Sequence, residues 1–349
     1  MLPFRQKTEF GTLREVVVGR TDKAAFPPKC KANANFTDHI EDLGPDFYDK
    51  YEENELIPAI KAKPELMEAY DKLQADLTDI YESEGVKVNR ISLPTDEILN
   101  YIGYRPTGYW PFTIANFWQV FGNIVVETGL SDNIAESAIA TFTGRDLLME
   151  RFNNDNDTIW LSAPPALPWD PTKGAGPGPF IGHGDTRMVD DKHILVGYGY
   201  TKGHDEPAAS NQLGFEVFKR MMEPFGYKVH QVRYDTQFSF HFDYILGWVA
   251  PGIATTPKGA FLDGIPEPMK DWDFIHIDRD ECAIHGAGNL VPLGPDASGQ
   301  HRVLVPAKTP RVAEEIEKRG VRAIPVEVEL GARNGGGIRC ATLVVNRDD

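Results

Sequence analysis

Leu77-Thr78-Asp79-Ile80-Tyr81-Glu82-Ser83-Glu84-Gly85-Val86-Lys87-Val88-Asn89-Arg90-Ile91 runs from an amphipathic pattern through one glycine into a β-rich stretch. Upstream, Leu66, Tyr70, Leu73, Leu77 and Ile80 recur on one helical face, which predicts a helix over Glu65–Glu84. A glycine at its end suits the left-handed residue that closes a helix. The same order recurs at Gly226 before Tyr227–Val232 and at Gly320 before Val321–Val328. Leu213, Val217 and Met221 mark the helix before Gly226, with Ser210 as its cap candidate. Thr309-Pro310 opens the helix before Gly320, since proline in the first turn forfeits only an unpaired N–H. The three glycines are 141 and 94 residues apart, three and two times 47, which predicts a repeat of about that length. Further strands are expected at Glu15–Gly19, Phe117–Glu127, Ile194–Tyr198 and Arg302–Val305, and a less regular helix on Ile134, Ile139, Phe142 and Leu148. Strands and helices therefore mix, giving an α/β or α+β class.

The 349 residues exceed what one simple core usually serves, so two domains or a repeat architecture is expected. Acidic side chains outnumber basic ones by 52 to 36, which argues against a nucleic-acid partner. Fourteen of those acids, against four bases, fall between Glu41 and Glu84, so most of the net −16 reads as one solvated helix face. Cys30, Cys282 and Cys340 are three widely spaced thiols with no Cys-x-x-Cys pair. That pattern fits a reducing cytoplasm better than a disulfide framework or a cysteine zinc site. No signal peptide is read in Met1–Phe10, and the apolar run Tyr244–Ala254 is broken by Pro251, so no membrane partner is expected. Ala163–Gly184 holds six prolines and five glycines. With Trp169 and Phe180 inside it, the stretch reads as an ordered loop, a lid candidate over 163–184.

Candidate chemistry begins at Cys340, in Asn334-Gly335-Gly336-Gly337-Ile338-Arg339-Cys340-Ala341-Thr342-Leu343. A strand-like run, not a helix, follows these glycines, so they do not form a nucleotide loop. They let the backbone approach a ligand and present a thiol at a turn. The bland alternative is an inert buried thiol. Three His-x-Asp pairs, His183–Asp185, His241–Asp243 and His276–Asp278, supply candidate acid–base partners; on a strand this spacing puts both side chains on one face. Aromatic neighbours Phe240, Phe242 and Tyr244 put His241 on a partly buried strand. Each pair is equally compatible with a hydrogen-bonded structural histidine. No His-x-His-x-Asp-His or His-Glu-x-x-His motif supports a metal, and no cofactor is expected. Phe112–Asn123 reads as a buried strand with polar Asn116 near its start, and Asn289 follows the small-residue turn Gly286–Gly288.

Taken together, these blocks resemble the amidinotransferase and guanidino-hydrolase group of the pentein superfamily, which includes arginine:glycine amidinotransferase, arginine deiminase and arginine dihydrolase. The opening Glu9–Arg20 is similar to that group's first strand, Phe112–Asn123 to its guanidinium-contact segment, His241-Phe242-Asp243 to its catalytic His-x-Asp, and Gly335–Leu343 to its nucleophile block. The turn ending Gly288-Asn289-Leu290 also matches the group. The resemblance implies one catalytic domain over 1–349, a five-bladed α/β propeller with pseudo-repeats around a central active-site channel. It implies Cys340 as nucleophile on the carbon of a small cationic guanidino substrate, His241 as proton carrier, and Asp243 as guanidinium acceptor. Asn116, Asp185, Asn289, Arg339 and Gly337 are the implied substrate-binding residues. Asn116, where many members carry Asp, matches the arginine dihydrolase type and tilts the reading towards hydrolysis; the first strand tilts it towards transfer to an amine. Ile181 stands where the group usually has a glutamate that assists the histidine, which leaves Asp185 as the substitute. That loss keeps a non-catalytic binding module as an alternative, and a metal hydrolase on the His–Asp pairs is a third reading. Arg20, Arg187 and Arg339 are candidates for a substrate carboxylate. Oligomeric state is left open, a homo-oligomer included.

Overall fold

The computed structural model describes residues 2–31, 43–44, 46–101, 109–127, 143–163, 172, 178–200, 209–328 and 336–348, without the side chains of Asn100, Tyr101 and Asn116. Five three-stranded sheets recur around the molecule. In each, the middle strand pairs antiparallel with one neighbour and parallel with the other. The first joins Thr342–Asp348, Thr12–Val18 and Lys87–Arg90. The second joins Gln119–Phe121, Ile124–Glu127 and Ile159–Ser162; the third Thr186–Met188, His193–Tyr200 and Lys228–Asp235. The fourth joins Gly247–Ala250, Ile253–Pro257 and Asp273–Ile277; the fifth Val291–Pro295, His301–Pro306 and Arg322–Val326. This is a five-bladed α/β propeller, and its first blade takes one strand from each end of the chain. Thr12 faces Asp348 and Val18 faces Thr342, so pairing of the ends closes the ring.

The helix–glycine–strand units lie in three of the five blades. Gly85, Gly226 and Gly320 have φ of +79°, +91° and +78° after helices Pro64–Ser83, Gln212–Met222 with its 3-10 extension Glu223–Phe225, and Pro310–Glu317. They belong to the first, third and fifth blades, so the expected 47-residue unit is wrong as a length although the equivalence behind it is real. The middle strands start at Thr12, Ile124, His193, Ile253 and His301, which is uneven spacing. Each blade buries its own sheet, and connections of any length tolerate insertion because they run over the surface.

Three local readings change. Phe117–Glu127 is not one strand: Gly122, at φ +61°, turns it into a hairpin whose strands pair Gln119 with Val126. In Gln212–Met222 the buried face is Phe215, Phe218 and Met222, whereas Leu213 is 49% exposed. Asn211, not Ser210, caps that helix by accepting the Gly214 N–H at 2.7 Å. The expected helix on Ile134, Ile139 and Phe142 and most of the 163–184 lid candidate lie outside the described residues. Among the described residues apolar packing forms four clusters, the first of which includes the inner face of Pro64–Ser83 through Leu66, Met67, Tyr70, Leu73, Leu77 and Tyr81. Among the described residues no helix is long and apolar enough to cross a membrane.

Candidate active site

The turn Ile338–Ala341 enters the last strand of the first blade and carries Cys340. Ala341 N–H donates to Gly337 O at 3.1 Å and Thr342 N–H to Arg339 O at 3.0 Å, which closes the turn. Asn289, on the connection between the fourth and fifth blades, clamps it from across the axis. Its Oδ1 accepts the backbone N–H of Arg339 at 2.7 Å and of Cys340 at 3.3 Å, while its Nδ2 donates to Cys340 Sγ at 3.3 Å. The approach demands glycine at 337, where a Cβ would lie 2.3 Å from Asn289 Oδ1. At Gly336 a Cβ would lie 2.3 Å from the Tyr70 ring. The Cys340 carbonyl accepts the Ala115 N–H at 3.1 Å, which brings in the 3-10 turn Ile114–Asn116. Asn116 is thus next to the Cys340 turn by backbone; its side chain lies outside the described residues.

His241 and Asp243 are not on a strand. His241 takes the N-cap position of the short helix Phe242–Ile245, in extended conformation, and Asp243 is in the first turn. Both are buried. Cys340 S–H donates to Asp243 Oδ2 at 3.7 Å, and Arg339 Nη1 donates to the same oxygen at 3.1 Å. Asp243 Oδ1 is buried with no hydrogen-bond partner among the described residues.

The His241 ring lies over the 3-10 turn His183–Asp185 and the glycine before it. A Cβ on Gly182 would be 3.4 Å from His241 Nε2, and one on Gly184 2.8 Å from Nδ1. Gly182 is therefore the residue that faces the imidazole, while Ile181 turns into the apolar cluster of Phe121, Ile194 and Phe215. Asp185, the last residue of this turn, is fully buried. It accepts from Ser210 Oγ at 2.5 Å, Tyr234 OH at 3.2 Å and Phe242 N–H at 2.9 Å. Burial raises its pKa above the ordinary carboxylate value, against the pull of His241, Ser210 and the Phe242 N–H. Ser210, which reads from sequence as a helix cap, instead ties Asp185 to the Gly182 N–H at 3.2 Å. The third pair, His276–Asp278, is elsewhere: Asp278 caps helix Arg279–Ala283 in a reciprocal box with Glu281.

No family model matches the chain. Over 362 residues it is 24% identical to an inosamine-phosphate amidinotransferase of Streptomyces griseus, covering 97% of this chain and 95% of that one. It is 23% identical over 375 residues to the mitochondrial glycine amidinotransferase of Gallus gallus, covering 99% and 83%. Among solved structures, SxtG, an amidinotransferase from Microseira wollei, superposes with a TM-score of 0.72 at 20% identity, over 100% of this chain and 98% of that one. The N-terminal domain of ArgZ, an arginine dihydrolase, superposes with a TM-score of 0.59 at 14% identity, over 95% and 97%. The chain is thus similar over nearly its whole length to amidinotransferases, and it shares the pentein fold with them and with an arginine dihydrolase.

Cys340 is buried, 1% exposed. Burial pushes the Cys340 thiol far above the ordinary range and the Asp243 charge pushes it further; the Gly337 N–H, Arg339 and Asn289 oppose both. Tyr244 is also driven well up by burial, with Cys340 and Asp243 among the charges that add to it. In the sequence Tyr244 stands only as one more aromatic near His241. Burial lowers His183 to about 3, with Arg339 adding to the shift, so its ring is neutral. Gln6, Glu9, Gln119, Arg339 and Arg347 are among the residues lining a cavity of about 30 Å3, room for about one water. Each arginine named for a substrate carboxylate is engaged by an acid: Arg20 by Asp22 on the surface, Arg187 by buried Glu9, and Arg339 by Asp243. Among the described residues no group of three or more His, Cys, Asp or Glu side chains is arranged to hold a metal ion.

Proposed function

We propose that this pentein is a cysteine-dependent enzyme that takes the amidino group from arginine or a related guanidino compound onto Cys340 and passes it to an amine. The observation that carries the reading is the convergence on one sulfur of an amide donor, Asn289 Nδ2 at 3.3 Å, and a carboxylate, Asp243 Oδ2 at 3.7 Å. Asp243 holds the guanidinium by charge-assisted bonds. The substrate cation offsets the Asp243 charge and the burial that keep the thiol protonated. The thiol proton moves to His241, Cys340 Sγ bonds to the guanidinium carbon, and the carbon–nitrogen bond to the departing amine breaks as His241 returns that proton to the amine. His241 then takes a proton from the incoming amine, whose nitrogen bonds to the same carbon as the carbon–sulfur bond breaks. Asp185 serves as the carboxylate behind His241, in place of the glutamate of other members. Residues 1–349 act as a single catalytic domain, consistent with the blade shared by both chain ends.

Transfer to an amine is favoured by the named relatives, which are amidinotransferases over nearly the whole chain. Hydrolysis is the second reading, favoured by Asn116 and by its resemblance to the arginine dihydrolase type. The experiment supplies arginine with glycine, with lysine, or with no acceptor, and measures ornithine, citrulline, urea, ammonia and the guanidino product. Ornithine formed in step with a guanidinylated acceptor supports transfer; ammonia or urea without acceptor supports hydrolysis. No turnover of any guanidine, with no adduct mass on Cys340, overturns both.

A further inference from the structure

We infer that Arg339 is a positioning residue that splits the Asp243 carboxylate, occupying Oδ2 from inside the protein and leaving Oδ1 as the single oxygen offered to the substrate guanidinium. The inference rests on the proposed role of Asp243 and changes that of Arg339, which sequence reading assigned to the substrate.

Arg339 directly precedes the nucleophile, yet its side chain runs inwards. Nη1 donates to Asp243 Oδ2 at 3.1 Å and to His183 O at 3.4 Å; Nη2 donates to His183 O at 3.4 Å and Thr186 O at 3.1 Å. Its backbone N–H is held by Asn289 Oδ1 at 2.7 Å. A guanidinium fixed by two main-chain carbonyls and a carboxylate is not an arm that swings out to meet ligand. It bridges the turn beneath His241 to the turn that carries Asp243, so one planar fork sets the distance between them. Lysine has one point charge and no such fork.

Asp243 Oδ1, buried and without a partner among the described residues, is the complementary observation. A carboxylate oxygen left unpaired in the interior is costly unless a donor comes to it. With Oδ2 already holding Arg339 and the Cys340 thiol, a substrate guanidinium meets Asp243 through one N–H edge. The guanidinium charge of Arg339 also favours the Cys340 thiolate, so its removal has a consequence at the sulfur as well as at the carboxylate.

Arg339→Lys and Arg339→Met separate these roles from a purely structural one. The first readout is the pH profile of Cys340 alkylation by iodoacetamide, with Cys30 and Cys282 replaced by Ala, in the absence of substrate. The second is kcat and KM on a turned-over guanidine. Arg339→Met is expected to move the alkylation profile to higher pH and to lower kcat/KM by about 100-fold, chiefly through KM. Arg339→Lys, which keeps the charge, is expected to restore most of the alkylation profile but not KM. An alkylation profile in Arg339→Met superimposable on the parent overturns the inference, as does a KM unchanged within threefold in folded Arg339→Lys. Should Arg339→Met fail to fold, the KM of Arg339→Lys decides. If wild-type protein turns over no guanidine the proposed activity fails, while the alkylation arm still tests Arg339.

Discussion

Cys282 and Cys340 are both buried thiols, and burial pushes both far above the ordinary range, yet their surroundings differ in kind. Cys282, on helix Arg279–Ala283, donates to Tyr244 O at 3.3 Å and Phe238 O at 3.7 Å. Two carbonyls only accept, so they hold the proton on that sulfur, and Asp278 adds a charge that does the same. Cys340 has Asp243 on one side but the Asn289 amide, the Gly337 N–H and Arg339 on the others. Donors and a cation support a thiolate once the one opposing charge is met. Burial is common to both sites, and the sign of the neighbours is what distinguishes Cys282 from Cys340, the proposed nucleophile.

The largest break in that comparison is exchange of the sulfur. Cys340→Ala is expected to lower kcat at least ~10⁴-fold, whereas Cys282→Ala keeps kcat within about threefold and loses about 1 kcal/mol of stability; steady-state kinetics and urea melts read both. Next comes the donor. Asn289→Ala removes the amide at the sulfur and orphans the N–H groups of Arg339 and Cys340. A fall in kcat of about 10²–10³-fold is expected, with about 1–3 kcal/mol of destabilisation; unchanged kcat would remove Asn289 from the site. Gly184→Ala, whose Cβ would meet His241 Nδ1 at 2.8 Å, displaces the imidazole alone. Its kcat should drop about 100-fold at nearly constant melting temperature.

Smaller effects follow from pH. Because the Cys340 pKa is raised, the empty enzyme holds the neutral thiol, so iodoacetamide inactivation should accelerate with pH beyond ~8.5, the value of a free cysteine. A plateau already at pH 7 would contradict the raised, buried thiol described above. Carried over to imidazoles, the comparison predicts that His183, lowered to about 3, destabilises the fold in acid. The unfolded chain takes a proton near pH 6.5 and the folded ring does not, so stability falls as pH drops through that range towards 3. The contribution is about 2 kcal/mol at pH 5. His183→Gln should flatten that slope in urea melts run from pH 7 to 4.

Some of this arrangement is legible in one dimension. Pro64–Ser83 declares itself by its apolar period, and Gly85, Gly226 and Gly320 by a chain conformation that glycine adopts without strain. The blocks around Cys340, His241 and Asn289 are equally readable, because close backbone approach demands small residues at 288 and 337. A Cβ at Gly288 would sit 1.7 Å from Tyr244 O. Other features have no local signature. Leu213 and Phe215 are equally apolar, and only the sheet they meet settles which is covered. Gly122 inside an apolar run looks like a strand residue until its partner strand is known. Ile181 and Gly182 are adjacent, and the path of the chain past His241 alone makes 182 the facing position.

Arg339 shows the division most plainly. Its place beside Cys340 is written in the chain, and proximity to a candidate site makes it a natural ligand for substrate. Its direction is set by Asp243, 96 residues earlier, and by the carbonyls of His183 and Thr186, more than 150 residues earlier. Composition, periodicity and glycine placement follow from forces between near neighbours, so local sequence carries them. The side on which a buried charge finds its partner depends on groups that only ring closure assembles, and that belongs to the folded molecule.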